Sequence, residues 1–390
     1  MKKYLIITVL AGLFLFPAFG QEPDEGKGPT PPGPGAQLSY PPEHPAVDKH
    51  WKLAWGDDFK FFDSNKWAKG NYGIRKNGVP LIFLTDQVSV LGDKLLIVIN
   101  NTKTICPPGI QYGALPPCEA GEEYDFRSGW VVSQRPYNTQ YGYFEARIKF
   151  PYKQGWGYCP AFWTFVGWDV NAKNAAEIDI CEISGGQYPD NTITTCVHTC
   201  YPKSDPNCER PWWRLAKVHT LPDFTYTEYH TYAVEWNAEW ITWYVDGKFL
   251  RTLKNSNFDN YGNSIVDSVQ VIFGIDIEKD YIPPTSPAFS DTMYVDYLKV
   301  YQLKCGDEVI NSSVYNFDNY DSNSVKKSIT IGGNGASNTI ANGKNVVMRA
   351  GKFIEIKGEF TVSLGASLYL DVNACNTDLI SDPCGGMYDW

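Results

Sequence analysis

The chain is short of positive charge. It carries 34 Lys and Arg against 44 Asp and Glu in 390 residues, a formal charge of −10. A dedicated nucleic-acid binder needs a basic face to displace counterions from phosphate, so that class is excluded. A densely sulfated polyanion is disfavoured on the same ground. Charge of either sign is scarce, at 20%, while aromatics reach 15%; a disordered chain would lack the aromatics and a coiled coil would carry more charge. There is no long amphipathic helical pattern. The apolar run from Leu5 to Phe16 has twelve residues, too few to cross a bilayer, which takes about 20. No transmembrane segment is therefore expected. Preceded by Lys2-Lys3 and followed by Pro17 and Ala18-Phe19-Gly20, that run reads as a secretory signal peptide over residues 1–20, cleaved near Gly20. The mature protein is expected outside the cytoplasm: extracellular, periplasmic or at the cell surface. No Cys follows the run to take a lipid anchor.

Secretion bears on the ten cysteines, because an even number in an oxidising space suggests disulfides before metal sites. Cys106 and Cys118 bracket a loop rich in Pro and Gly, Cys200 and Cys208 bracket another, and Cys375 and Cys384 could close the C-terminal tail. Spacing alone leaves the pairing open. Residues 21–36 hold five Pro and four Gly, and the stretch 21–45 reads as a linker. From 46 to 303 the chain alternates short strand-like segments with turn signals, among them Asp246-Gly247 between Ile241–Val245 and Lys248–Leu253. This region predicts one large β-sandwich. It holds 45 aromatics in 258 residues, whereas 304–390 hold eight in 87. In the tail Gly343, Gly351, Gly358 and Gly365 recur between short apolar segments, which predicts a second, small β-stack with a glycine at each corner.

One segment concentrates acidic side chains among β-formers: Glu177-Ile178-Asp179-Ile180-Cys181-Glu182. On a regular strand Glu177 and Asp179 share a face and Glu182 falls on the other. A β-bulge near Ile180-Cys181 would bring Glu182 round. Retaining glycoside hydrolysis needs two carboxyl groups about 5–5.5 Å apart, one to attack the anomeric carbon and one to protonate the leaving oxygen. Same-face strand neighbours supply about that spacing. Glu177 would be the nucleophile and Glu182 the acid, later the base. Asp179 would orient the nucleophile and raise the acid's pKa by like-charge repulsion. The competing reading is an exposed strand with solvated charges.

Here the sequence resembles glycoside hydrolase family 16, in the bulged Glu-x-Asp-x-x-Glu form seen in laminarinases and red-algal galactanases. The likeness extends through Tyr141 to Lys149, Pro160-Ala161-Phe162-Trp163, Ala233-Val234-Glu235-Trp236 with Trp243 to Gly247, and Val295 to Tyr301, in the family's order across roughly residues 50 to 303. The tail around Asn345 to Ile356 resembles the three-coathanger stack of secreted Bacteroidetes proteins, which suggests a structural or surface-display module. The first resemblance implies an all-β, concanavalin-like jelly roll over 46–303 whose concave face binds a polysaccharide, beside the module at 304–390. It implies the same three carboxylate roles, a Trp163 that stacks on sugar in the cleft, and a His198 facing the acids near Glu182. Trp156 and Trp168, on flanking loops, are further candidates for lining the cleft. Trp236 and Trp243 read as core.

Catalysis is expected to need no cofactor. A structural calcium would fall to Asp58 and Asp296, although the family more often has Glu at the first position. Cys196, His198 and Cys200 share a strand face and could ligate zinc, but a zinc site needs a fourth ligand and reduced thiols, whereas secretion favours disulfides. The expected protein is a secreted, monomeric, endo-acting retaining β-glycanase. "Pro-Ala-Phe-Trp" leans towards β-1,3-glucan. The stretch Phe273-Gly274-Ile275-Asp276 lacks the Gly-Gly common in laminarinases, so a galactan of the agar, porphyran or carrageenan type stays open. A non-catalytic binding sandwich is the rival from another class; such receptors lack the catalytic glutamates.

Overall fold

The computed structural model describes residues 44–74, 78–108, 117–166, 176–198, 215–238, 240–255, 265, 267–318 and 320–372. Among them there is no α-helix, and the alternating segments form two sheets packed face to face. One sheet has seven antiparallel strands, in the order Lys217–Thr220, Thr192–His198, Glu177–Glu182, Tyr158–Phe165, Gln270–Ile277, Trp130–Ser133, Trp67–Lys69. The other has eleven and is built around Ser290–Leu303. At 14 residues that strand pairs with Gly142–Lys149 along one side, and with Leu95–Asn100 and then Trp51–Asp57 along the other.

The aromatic excess fills the space between the sheets. Trp67, Phe162 and Phe273 from the first sheet meet Phe144, Trp236 and Trp243 from the second, all almost wholly buried in one apolar core. Burying such a side chain contributes about 1.5–3 kcal/mol. Turn chemistry sets the hairpin after Trp240–Val245. Asp246 and Gly247 both adopt positive φ, +50° and +71°, as a two-residue turn that follows strand twist requires. The Asp246 carboxylate then accepts from the Thr231 amide at 2.9 Å and bonds His230 Nδ1 at 2.7 Å.

Residues 309–372 form two three-stranded parallel sheets, Val309–Ser312, Ser328–Ile340, Ile354–Val362 and Val325–Lys326, Asn345–Ala350, Ser367–Val372. They enclose a core of their own around Ile329, Ile331, Ile340, Val346 and Met348. The expectation of a glycine at every corner needs correction. Gly343 and Gly365 do turn the chain, at φ +78° and +81°, but Gly358 lies inside the strand Ile354–Val362. There its positive φ absorbs the register shift against Gly332–Ser337, so two expected short strands are one. Tyr369 donates to the Ala238 carbonyl at 2.8 Å and His50 bonds Asp321 at 2.8 Å, tying this unit to the sandwich. A disulfide joins Cys106 and Cys118, and Cys305 is also disulfide-bonded. Cys200, Cys208, Cys375 and Cys384 lie outside the described residues.

Candidate active site

The acid strand lies mid-sheet, between Tyr158–Phe165 and Thr192–His198. Across to the first neighbour Phe162 pairs with Cys181 and Trp163 with Asp179, so Ile180 is the extra residue; across to the second, Asp179 pairs with Cys196 and Glu182 with Thr194. Ile180 and Cys181 both pack into the apolar core, whereas a regular strand sends consecutive residues to opposite faces. The apolar core takes both, and the bulge turns Glu182 to the side of Glu177 and Asp179. The three carboxylates line one open cleft, together with Trp163, Trp130, Cys159 and Asp276.

Burial separates the three acids. Asp179 is 2% exposed, whereas Glu177 and Glu182 are half-buried and reach the open cleft. Behind Asp179 the Trp243 indole, fully buried in the core, donates to the Asp179 carbonyl at 2.9 Å and fixes the backbone of the bulged strand. His198, opposite Glu177 in register, sets its Nε2 3.0 Å from the Asp179 carboxylate and 3.9 Å from that of Glu177. The expected place beside Glu182 is thus corrected: register carries the ring to the other end of the triplet. Near Glu182 the neighbour is Cys159, whose Sγ is 3.8 Å from Oε1. Burial, reinforced by the charge of Glu182, pushes this thiol well above its ordinary pKa, so it stays protonated and can donate weakly to the carboxylate.

Trp163 lies in the cleft in register with Asp179, its ring stacked on that of Trp130 at 6.3 Å between centroids and 15° between planes. Trp156 lies elsewhere. It packs edge-on against Tyr158 and Phe289 with the Lys153 ammonium 4.3 Å from its centroid, and it is not among the residues lining this cleft. Trp168 falls outside the described residues. Several cleft residues escaped the sequence reading, among them Cys159, Trp130 and Asp276. Trp130 sits on a strand distant in sequence and carries no motif. Asp276 carried a signal, a lone acid in the apolar strand Gln270–Ile277, where positions 274 and 276 are the half-buried ones facing the cleft.

The residues proposed for calcium do not fit the ion. The Asp296 carboxylate is paired with Arg147 at 2.7 Å and Lys94 at 3.2 Å, two cations where calcium would need oxygen donors. Asp58 is exposed, just beyond the strand Trp51–Asp57.

Comparison with known proteins finds similarity across this site. Residues 117–275 match the model of glycosyl hydrolases family 16. The chain is 29% identical over 182 residues to an endo-1,3-1,4-beta-glycanase of Rhizobium meliloti, covering 46% of this chain and 34% of that protein. It is 26% identical over 289 residues to a glucan endo-1,3-beta-glucosidase of Niallia circulans, covering 67% and 39%. The chain therefore spans little more than a third of the length of these relatives. An endo-beta-1,3-glucanase structure from Pyrococcus furiosus shares the fold, with a TM-score of 0.52 at 24% identity over 66% of this chain and 96% of the other. The sandwich is the jelly roll of that fold, and within it residues 117–275 are similar to the glycosyl hydrolases of family 16.

Proposed function

We propose that the protein is a secreted, endo-acting β-glycanase that retains anomeric configuration and acts first on β-1,3-glucan. The observation that carries this reading is the bulge at Ile180, which gathers Glu177, Asp179 and Glu182 on one cleft wall. Glu177 attacks the anomeric carbon while Glu182 protonates the departing glycosidic oxygen. Glu182, now a carboxylate, then draws a proton from the water that releases the sugar. Asp179, buried and held by His198, orients Glu177. The stacked indoles of Trp163 and Trp130 offer an apolar surface to a sugar ring. An open cleft suits attack within a long chain, which can enter from either side.

The relatives' names, β-1,3 and mixed β-1,3-1,4 glycanases, support glucan as the substrate class. The galactan reading rests on the missing Gly-Gly stretch at 273–276. Presence of all three acids opposes a purely binding role. Reducing-sugar release from laminarin, lichenan, agarose, porphyran and carrageenan, by wild type and Glu177→Gln, tests the reading. Laminarin should be cut fastest, and Glu177→Gln should lose about 10²–10⁴-fold in rate. Equal release by both proteins would remove Glu177 from the mechanism, and activity confined to a galactan would overturn the substrate.

A further inference from the structure

The acid strand and its neighbour bring together three ligand types that the proposed hydrolysis does not need together: a carboxylate, a thiol and an imidazole. Asp179, Cys196 and His198 place one donor atom each within 4.8 Å of one another. Register explains it. Cys196 stands opposite Asp179, and His198, two residues on, faces the same side of the sheet. Asp179 and Cys196 are almost wholly buried, and His198 is half-buried with its Nε2 towards Asp179. Tetrahedral zinc holds thiolate sulfur at about 2.3 Å and nitrogen or oxygen at about 2.0–2.2 Å, so its ligand atoms stand roughly 3.3–3.8 Å apart. The His198 Nε2 to Asp179 distance of 3.0 Å is slightly shorter than that spacing and no pair of the three exceeds 4.8 Å, within reach of small side-chain rotations.

We propose that Asp179, Cys196 and His198 form a site for a soft divalent cation of the zinc class, with the position towards the cleft left open to water or to the Glu177 carboxylate. Glu177 Oε1 is 3.9 Å from His198 Nε2, close enough to supply that fourth oxygen. Two carboxylates draw the cation in, and thiolate with imidazole selects zinc, cadmium or cobalt over magnesium or calcium. Binding releases the Cys196 proton to solvent. Burial, then the charge of Asp179, holds that proton on the thiol in the metal-free protein, while Arg251 acts in the opposite sense. Resting on the catalytic reading of the cleft, the consequence is inhibition: an ion on Asp179 and His198 removes the orientation that Glu177 depends on.

The test uses the full chain, stripped with chelator under reducing conditions and titrated with Co²⁺. Wild type should develop a thiolate-to-cobalt charge-transfer band that saturates at one equivalent and is abolished by Zn²⁺. Cys196→Ser should lose the band, Cys159→Ser should keep it, and His198→Gln should weaken cobalt binding by about tenfold or more. No band in wild type, or a band that persists in Cys196→Ser, overturns the site. In the second arm Zn²⁺ should inhibit laminarin hydrolysis by wild type, and chelator should restore it. If Cys196→Ser is inhibited equally, the link to catalysis is overturned. If no protein hydrolyses any glycan, the catalytic reading fails while the cobalt result still decides the metal site.

Discussion

Trp163 shows how one residue serves two roles, and its substitution should separate them. The ring is 7% exposed, so most of it packs, and Trp163→Ala should cost about 3–5 kcal/mol of stability. The small exposed part faces the cleft, stacked with Trp130. Aromatic stacking worth about 0.5–1.5 kcal/mol should appear as a KM for laminarin raised about 2- to 10-fold, and Trp163→Phe should recover much of both. An unchanged KM in a folded Trp163→Ala protein would mean that the ring only packs. Residues of this kind are legible where a motif names them, as Pro160 to Trp163 does. Trp130 was not legible, because only the pairing of its strand with Gln270–Ile277 brings it alongside Trp163. His198 was legible as a neighbour of the acids but not in its partner. Which acid it faces depends on cross-strand register, and the bulge itself shifts that register.

At the level of the strand, the bulge was readable because three acids at i, i+2 and i+5 can share a face only with one residue too many. The strand's two consecutive inward residues, Ile180 and Cys181, test this directly. Deleting Ile180 restores simple alternation, with Cys181 alone pointing to the core and the final glutamate still on the cleft face. That deletion should cost about 1.5–3 kcal/mol from the lost side chain and leave measurable hydrolysis. A folded but wholly inactive deletion would show that the position of Glu182 along the strand, and not only its face, is required. The edge strand Lys217–Thr220 carries a pH signature. Burial, then the charges of Arg251 and Lys217, lowers His219 to about 4, below the usual value of about 6.5. The folded state therefore refuses a proton that the unfolded chain accepts. The stability this represents is present above about pH 6.5 and is lost as pH falls towards 4. Melting temperature should decline over that window in wild type and decline less in His219→Gln; parallel curves would exclude the histidine as the cause.

Over the whole molecule, two different β architectures share one chain. The antiparallel sandwich announces itself through alternation and hairpin turns, and the C-terminal unit through its glycine spacing. That the latter's sheets are parallel was not legible, since a short repeat fits either pairing until the backbone is traced. The unit has a polar anchor: Arg349 and Asp371 form a buried pair at 2.6 Å, beside Tyr141 and Glu235 of the sandwich. Burial raises the Asp371 pKa, with Arg349 opposing it. Arg349→Met should strand that carboxylate and cost about 3–5 kcal/mol, read as a lower melting transition for the C-terminal unit. A transition that does not move would show that the pair contributes nothing net.

The central claim is that Glu177 and Glu182 work by double displacement across one cleft wall, and the stereochemistry of the first product tests it most directly. Proton NMR of laminarin during early hydrolysis, before mutarotation, should show the β-anomer of the new reducing end appearing first, and no comparable signal with Glu177→Gln. An α-anomer appearing first would contradict the account, because inversion requires a water, not Glu177, to make the attack.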